Sequence, residues 1–418
     1  MPVSVPPVRP SDEESPPGHD PAATAAGWRP RTRMVRGGLE RGPHSETCEA
    51  LYLTSGYVYP DADAARRAFD GTDERYVYSR FRNPTNTQFE QRLALLEGAR
   101  FARATASGMA AVTAALMSQV SAGDRVVASR NLFVSCHYVL SELLPRFGVT
   151  VDFVPGSDLD AWRAALTTPA TCVFLETPSN PGLEIIDIAA VAEMARATGA
   201  RLVVDNAFAT PVLQQPLALG ADVVVHSATK YLDGQGRCLG GMVLCNDEAF
   251  DAEVLQPFLR HTGPALSPFN AWLMVKGLET LDLRVRAHCA SALALAQAIL
   301  GHPAVTAVRY PGLPDHPGHA LAMAQMDGCG GGMLALEMTG GQAAAFRVLD
   351  GLRLIDISNN LGDAKSLACH PATTTHQRLS DEERRAQGIT PSLVRFSVGL
   401  EDTRDLVTDV LRALDGAR

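Results

Sequence analysis

Residues 221–231, Ala221-Asp222-Val223-Val224-Val225-His226-Ser227-Ala228-Thr229-Lys230-Tyr231, decide how the rest of the chain is read. The valine run fits a short strand buried on both faces. It passes directly into two hydroxyls and a primary amine. Lysine attacks a carbonyl only as the free amine, so a catalytic lysine belongs where burial or a neighbouring cation favours the neutral form. Ser227 and Thr229 can donate to an anion such as a phosphate. A solvated loop lysine is the alternative for Lys230 taken alone, and the surrounding residues weigh against it.

Working outward, residues 125–128, 172–175, 202–204 and 242–244 are predicted as further strands, and residues 88–96 and 107–120 as helices. Continuous apolar runs between helical periods indicate an α/β fold with a parallel sheet covered on both faces. Ligands of such sheets gather beyond the carboxyl ends of the strands. Three polar clusters fall there: Glu176-Thr177-Pro178-Ser179-Asn180, Asp205-Asn206, and Ser227 to Lys230. An aldehyde that condenses with lysine and a phosphate that needs neutral and cationic donors together point to pyridoxal phosphate (PLP). Asp205, at a strand's end, would keep a pyridine nitrogen protonated, with a turn or helix cap as the alternative. Ser107-Gly108-Met109 opens an Ala-rich helix, where free backbone N–H groups and the helix dipole suit a phosphate. Ser is also an ordinary N-cap.

Tyr78 and Arg80 lie two apart in an extended stretch that ends at Pro84, so they share one face and can grip one phosphate; an interface or surface arm is equally open. Arg395 is an isolated cation in the alternating apolar run Leu393-Val394-Arg395-Phe396-Ser397-Val398. An unpaired buried charge is costly. Bidentate capture of a substrate carboxylate would account for it, and an internal salt bridge is the alternative.

The 418 residues, 46% of them hydrophobic and 20% charged, suffice for two or three packed regions. A net charge of −9 without a basic run points away from nucleic acid or an anionic membrane, towards small metabolites. The eight cysteines are scattered with no two-residue spacing, which reads as reduced thiols in a cytoplasmic protein and no zinc or redox motif. His316, His319, His370 and His376 lack Cys or acidic company, so no metal is expected. Residues 1–27 hold seven of the 27 prolines and an acidic run, the composition of a disordered tail. No signal peptide or apolar span of membrane length is apparent. A long helical region over residues 268–300 precedes a Gly/Pro-rich interval and a smaller α+β region that ends in a helix over residues 404–414.

From about Thr32 to the C-terminus the chain resembles the Cys/Met-metabolism PLP enzymes of fold type I. The matching segments are Ser227-Ala228-Thr229-Lys230-Tyr231-Leu232-Asp233-Gly234-Gln235-Gly236-Arg237, Asn359-Asn360-Leu361-Gly362-Asp363-Ala364-Lys365-Ser366-Leu367 and His370-Pro371-Ala372-Thr373-Thr374-Thr375-His376. The first two point to the sulfhydrylase branch. The resemblance implies the aspartate-aminotransferase-like fold, a mixed, mostly parallel sheet with helices on both faces plus a smaller C-terminal α+β domain. It divides the chain into the tail, an intersubunit arm (28–87), a PLP-binding domain (88–266), and a linking helix with the C-terminal domain (267–418). It makes Lys230 the residue joined to the cofactor aldehyde and Asp205 the partner of the pyridine nitrogen. Ser107, Gly108, Met109, Ser227 and Thr229 hold the phosphate, and Tyr78 and Arg80 reach it from a neighbouring subunit. Phe133 stacks on the ring where many relatives carry tyrosine, and Val134 replaces a usual glycine. Asn180, Asn360 and Arg395 contact substrate.

The implied activity is γ-replacement on an O-acylated homoserine, the succinyl ester with sulfide giving homocysteine for methionine biosynthesis, in a cytoplasmic homotetramer built from active dimers. The acetyl ester, cysteine as nucleophile, elimination with water, an unusual nucleophile in specialised metabolism, and a catalytically silent scaffold are the rivals.

Overall fold

The computed structural model describes residues 27–42 and 44–417. The expected tail, but for Gly27, lies outside them. Seven strands form the larger sheet: β1 Phe101–Thr105, β2 Arg125–Ser129, β3 Thr150–Val154, β4 Cys172–Glu176, β5 Arg201–Asp205, β6 Val223–Ser227 and β7 Gly241–Cys245. Their spatial order is β1-β7-β6-β5-β4-β2-β3. Strands β2 to β6 run parallel, and β7 is reversed between β6 and β1. The sheet is therefore mixed and mostly parallel, as the resemblance implied.

The unbroken apolar runs follow from helices on both faces. Val126, Ala128, Phe174, Val203 and Val225 pack towards the helix Gly108–Met117, with Ala111, Val112 and Ala115 in the same core. Their alternate neighbours Val127, Val173, Leu175, Leu202 and Val204 pack with Trp162, Val191 and Ala195 of two other helices. Period-two alternation thus serves two apolar layers rather than one apolar and one wet face.

The sequence reading did not anticipate β1 and β3. β1 reads Phe-Ala-Arg-Ala-Thr, a helix-like composition, and is held as a strand by its register with β7 and by pairing of Arg103 with the buried Asp251. β3 is an edge strand, where Asp152 pairs with Arg125 of β2. The single long helix expected over 268–300 is two helices, Pro268–Leu278 and Leu281–Ile299. Thr280 leaves helical geometry, and Arg284 takes up the freed Gly277 carbonyl at 2.8 Å.

A smaller sheet contains β8 Val305–Arg309, β9 Met333–Met338, β10 Asp356–Ile357, β11 Leu367–Cys369 and β12 Leu393–Ser397, in the order β10-β11-β12-β9-β8. The helices Gly341–Gly351 and Thr403–Gly416 share a core with its strands through Val348, Leu406, Val410, Leu336 and Phe396. Among the described residues no helix is long and apolar enough to cross a membrane.

Candidate active site

A cavity of about 220 Å³ opens beyond the carboxyl ends of β4, β5 and β6, and Arg395 of β12 reaches it from the smaller sheet. Ser107, Gly108, Met109, Phe133, Asn180, Asp205, Ser227, Thr229, Lys230 and Arg395 line it together. The structure therefore gathers ten of the thirteen residues singled out from the sequence.

The amine is in working condition. Lys230 Nζ donates to Asn360 Oδ1 at 2.6 Å. Burial, helped by the Arg395 charge, pulls its pKa down to about 8, while Asp205 opposes the shift. This places a substantial free-amine fraction near neutral pH. Behind Lys230 the turn is stapled by Arg284, whose guanidinium donates to Tyr231 O at 2.7 Å. Gly234, at φ 69°, has no room for a Cβ, which would fall 1.9 Å from Arg284 Nη1.

Two carboxylates stand side by side at the strand ends, since Glu176 and Asp205 are register partners in β4 and β5. Both are buried. Burial and the Asp205 charge push Glu176 well above the usual carboxylate range, although Phe133 N–H donates to it at 2.7 Å. Burial also raises Asp205, to about 6, against a hydrogen bond from Ala207 N–H and the charges of His226 and Lys230. Like charges this close separate into one neutral and one ionised group. Glu176 holds a proton and fixes the Phe133 backbone, while Asp205 keeps the negative charge that faces the cavity. Glu176 was visible in the sequence only as part of a strand-end cluster, because its partner lies 29 positions away in β5.

Arg395, 2% exposed, donates to Asn180 Oδ1 at 2.8 Å and to Asn359 O at 2.9 Å. Among the described residues no carboxylate lies within ion-pair distance, and its Nε has no partner. The internal salt bridge is thereby set aside. A buried guanidinium with an unsatisfied N–H suits an incoming carboxylate.

At the opposite end, the Ser107 side chain caps the helix Gly108–Met117, accepting from Ala110 N–H at 3.2 Å. A Cβ on Gly108 would lie 2.5 Å from Ser227 Cβ, so only glycine lets this helix start meet β6. The Thr229 hydroxyl is occupied with Gly240, accepting from its N–H at 3.1 Å and donating to its carbonyl at 3.3 Å. Ser227 makes no such side-chain bond among the described residues.

Three expected residues stand apart. Asn360 does not line the cavity but touches two residues that do, its Oδ1 accepting from Lys230 at 2.6 Å and its carbonyl from Arg395 at 3.3 Å. Tyr78 and Arg80 lie outside the cavity: Arg80 donates to Arg260 O, and its guanidinium lies 5.3 Å from the Tyr78 ring centre. The segment around them exposes Leu53 at 65%, Val58 at 95% and Phe69 at 71%, an unusual apolar burden for a free surface. The histidines set aside as metal ligands bond locally, His370 to Thr373 Oγ1 at 2.8 Å and Pro391 O at 2.9 Å.

A strand-end carboxylate, an aromatic ring at Phe133, a free amine and a helix N-terminus with a nearby free hydroxyl make a site that fits PLP. The Cys/Met metabolism PLP-dependent enzyme model matches residues 31–415. An O-succinylhomoserine sulfhydrylase of Mycobacterium tuberculosis is 55% identical over 94% of this chain and 98% of its own length. One from Pseudomonas aeruginosa is 52% identical over 92% of this chain and 94% of its own. A Campylobacter jejuni structure described as a putative O-acetylhomoserine (thiol)-lyase superimposes with a TM-score of 0.89 at 32% identity, covering 93% of this chain and all of that one, and carries a pyridoxyl-lysine phosphate.

Proposed function

The chain belongs to the Cys/Met metabolism PLP-dependent enzyme family, and on that premise we propose that it catalyses γ-replacement, converting O-succinylhomoserine and sulfide to homocysteine and succinate. The observation that carries this reading is the near-full-length likeness to two O-succinylhomoserine sulfhydrylases. The cofactor supplies an aldehyde for the lysine and a ring that stores the electron pair released from substrate.

This chain's residues do the rest. Arg395 takes the α-carboxylate with its fork and unpaired Nε, and Asn180 holds that fork in plane. Lys230, as a free amine, would remove the Cα proton and then serve the protons at Cβ. Asp205, ionised beside a neutral Glu176, would hold a proton on the cofactor's ring nitrogen. Phe133 lines the cavity where the ring would pack and offers no phenol, so proton traffic would fall to Lys230. The C–O bond at Cγ breaks with loss of succinate, and the sulfur of hydrosulfide bonds to the same carbon. Ser227, whose hydroxyl is unengaged among the described residues, and the N–H groups of Gly108 and Met109 would serve the phosphate, and Thr229 would join them by turning its hydroxyl proton away from the Gly240 carbonyl.

Residues 28–87 act as an intersubunit arm, residues 88–266 as the cofactor-binding domain and 267–418 as the linking helices and C-terminal domain, in a cytoplasmic homo-oligomer whose minimal unit is a dimer. Tyr78 and Arg80 then complete the phosphate site of the partner subunit, which accounts for their distance from the cavity of their own. Mixing inactive Arg80→Ala subunits with inactive Lys230→Ala subunits in equal amounts is expected to restore about a quarter of wild-type activity, because half the random dimers are hybrids with one whole site. Verified hybrids without activity would place the whole site within one chain.

Steady-state assays with succinyl- and acetyl-homoserine, each with sulfide, cysteine or no added nucleophile, test the reaction. The succinyl ester with sulfide should give the highest kcat/KM, as the near-full-length likeness to two O-succinylhomoserine sulfhydrylases implies. Faster formation of cystathionine than of homocysteine, or of 2-oxobutanoate in the presence of sulfide, would replace this reading with a synthase or a lyase.

A further inference from the structure

Away from the cleft, two of the eight cysteines meet. Cys289 lies within the helix Leu281–Ile299, and Cys329 sits in the turn Gly328-Cys329-Gly330-Gly331-Gly332; both are free thiols. The Tyr310 hydroxyl ties the two segments together, 3.3 Å from Cys289 O and 2.9 Å from Gly331 O. Cys289 belongs to a buried apolar cluster, and Cys329 packs against that same cluster. Arg286, three residues before Cys289 on the same helix, places Nη1 3.7 Å from Cys329 Sγ. Asp282 and Asp327 pair with Arg286 and hold it there. Tyr310 and Tyr231 are the other titratable groups facing the pair. Cys329 is half-buried and open to a small reagent, while Cys289 is 6% exposed.

We propose that Cys329 is a peroxide-reactive thiol and Cys289 its resolving partner, so that the protein carries a reversible disulfide site. The Cys329 thiolate attacks one oxygen of a hydroperoxide; the S–O bond forms, the O–O bond breaks, and the leaving alkoxide takes a proton to become an alcohol. Cys289 sulfur then attacks the sulfenic sulfur; the S–S bond forms, the S–O bond breaks, and water leaves with the thiol proton. Two sulfurs lose one electron each, the peroxide gains both, and a small-molecule thiol reverses the bond by exchange. The neighbouring Cys289 thiol and the Arg286 charge draw the Cys329 pKa below that of an ordinary thiol, whereas Cys329 and burial push that of Cys289 up. An activated, reachable thiol beside a buried partner is the arrangement that favours disulfide formation over irreversible oxidation. The site backs onto the cleft: a Cβ on Gly332 would lie 2.6 Å from the hydroxyl of Tyr231, the residue after Lys230.

Holoenzyme treated with hydrogen peroxide, alkylated with N-ethylmaleimide and digested should yield a Cys289–Cys329 cross-linked peptide that dithiothreitol removes. Alkylation of Cys329 in untreated holoenzyme should be half-maximal clearly below the value of about 8.5 for an ordinary thiol, and Arg286→Gln should move that midpoint upwards. In Cys289→Ser, peroxide should drive Cys329 on to the sulfinic acid. Cys329→Ser, a change at a half-exposed position, should leave Cys289 reduced. Oxidation of the exposed Cys48 with Cys329 untouched, or a Cys329 midpoint at the ordinary value, would overturn the proposal.

Discussion

Lys230→Ala is expected to abolish reducible covalent attachment of PLP and to lower turnover by at least about 10⁴-fold, since it removes both the covalent anchor and the proton carrier, and general acid–base transfer alone is worth about 10²–10⁴. Borohydride reduction of wild-type holoenzyme followed by digestion should place the pyridoxyl group on the peptide that contains Lys230. A pyridoxyl group on any other lysine would end the assignment. The reaction also has a pH signature. Only the neutral amine attacks the aldehyde, and burial holds Lys230 at about 8. Attachment of PLP to cofactor-free protein should therefore accelerate as pH rises through 8 and level off above it. An ordinary exposed lysine would go on accelerating towards pH 10 or beyond. The alanine variant loses the contact to Asn360 Oδ1 but no buried apolar packing, so its fold should survive and a circular dichroism spectrum should match the wild type.

Asp205→Asn should separate catalysis from stability. The amide keeps the shape of the side chain but cannot hold a proton on the ring nitrogen. A hydrogen bond to a charged group is worth about 1.5–3 kcal/mol, and 1.36 kcal/mol is tenfold in rate. Turnover is therefore expected to fall between about tenfold and a hundredfold with the cofactor still attached to Lys230. Stability of the cofactor-free protein should move the other way. The folded-state pKa of Asp205 is raised by burial to about 6 from the ordinary 3.8, so the neutral carboxyl favours the fold. That contribution is complete below about pH 4 and is lost as pH rises through 6. At pH 8 the cofactor-free variant, which buries no charge there, should melt no lower than cofactor-free wild type. Bound cofactor should reverse the order, because the ring cation then compensates Asp205. Near-normal turnover of the variant, or a lower melting point in its cofactor-free form at pH 8, would give the carboxylate another role.

Much of this site was legible locally. A strand that ends in hydroxyls and an amine, a second that ends in Asp205 and a Ser-Gly start to a helix are each written in adjacent residues, because strand ends and caps depend on nearest neighbours. Arg395 was legible as an anomaly, a cation in an apolar alternation, although its neighbours in sequence left a salt bridge open. The fold class followed in the same way from apolar runs that only two-sided burial explains.

What lay beyond the sequence depends on pairs brought together by register. β1 has no strand-like composition and exists through its ladder with β7, and nothing in residues 241–245 reveals that this strand runs against its neighbours. The break at Thr280 is set by Arg284 reaching back to Gly277. Glu176 becomes a neutral carboxyl only because the β4–β5 register sets it beside Asp205, and two cysteines forty positions apart become a pair only through the turn that Tyr310 holds. Chain chemistry named the cofactor and singled out Lys230 as the candidate to hold it, since both are carried by contiguous residues. Which carboxylate keeps its proton, which arginine lacks an acid and which thiol is activated were decided by tertiary structure, because charge and desolvation act through space and between strands.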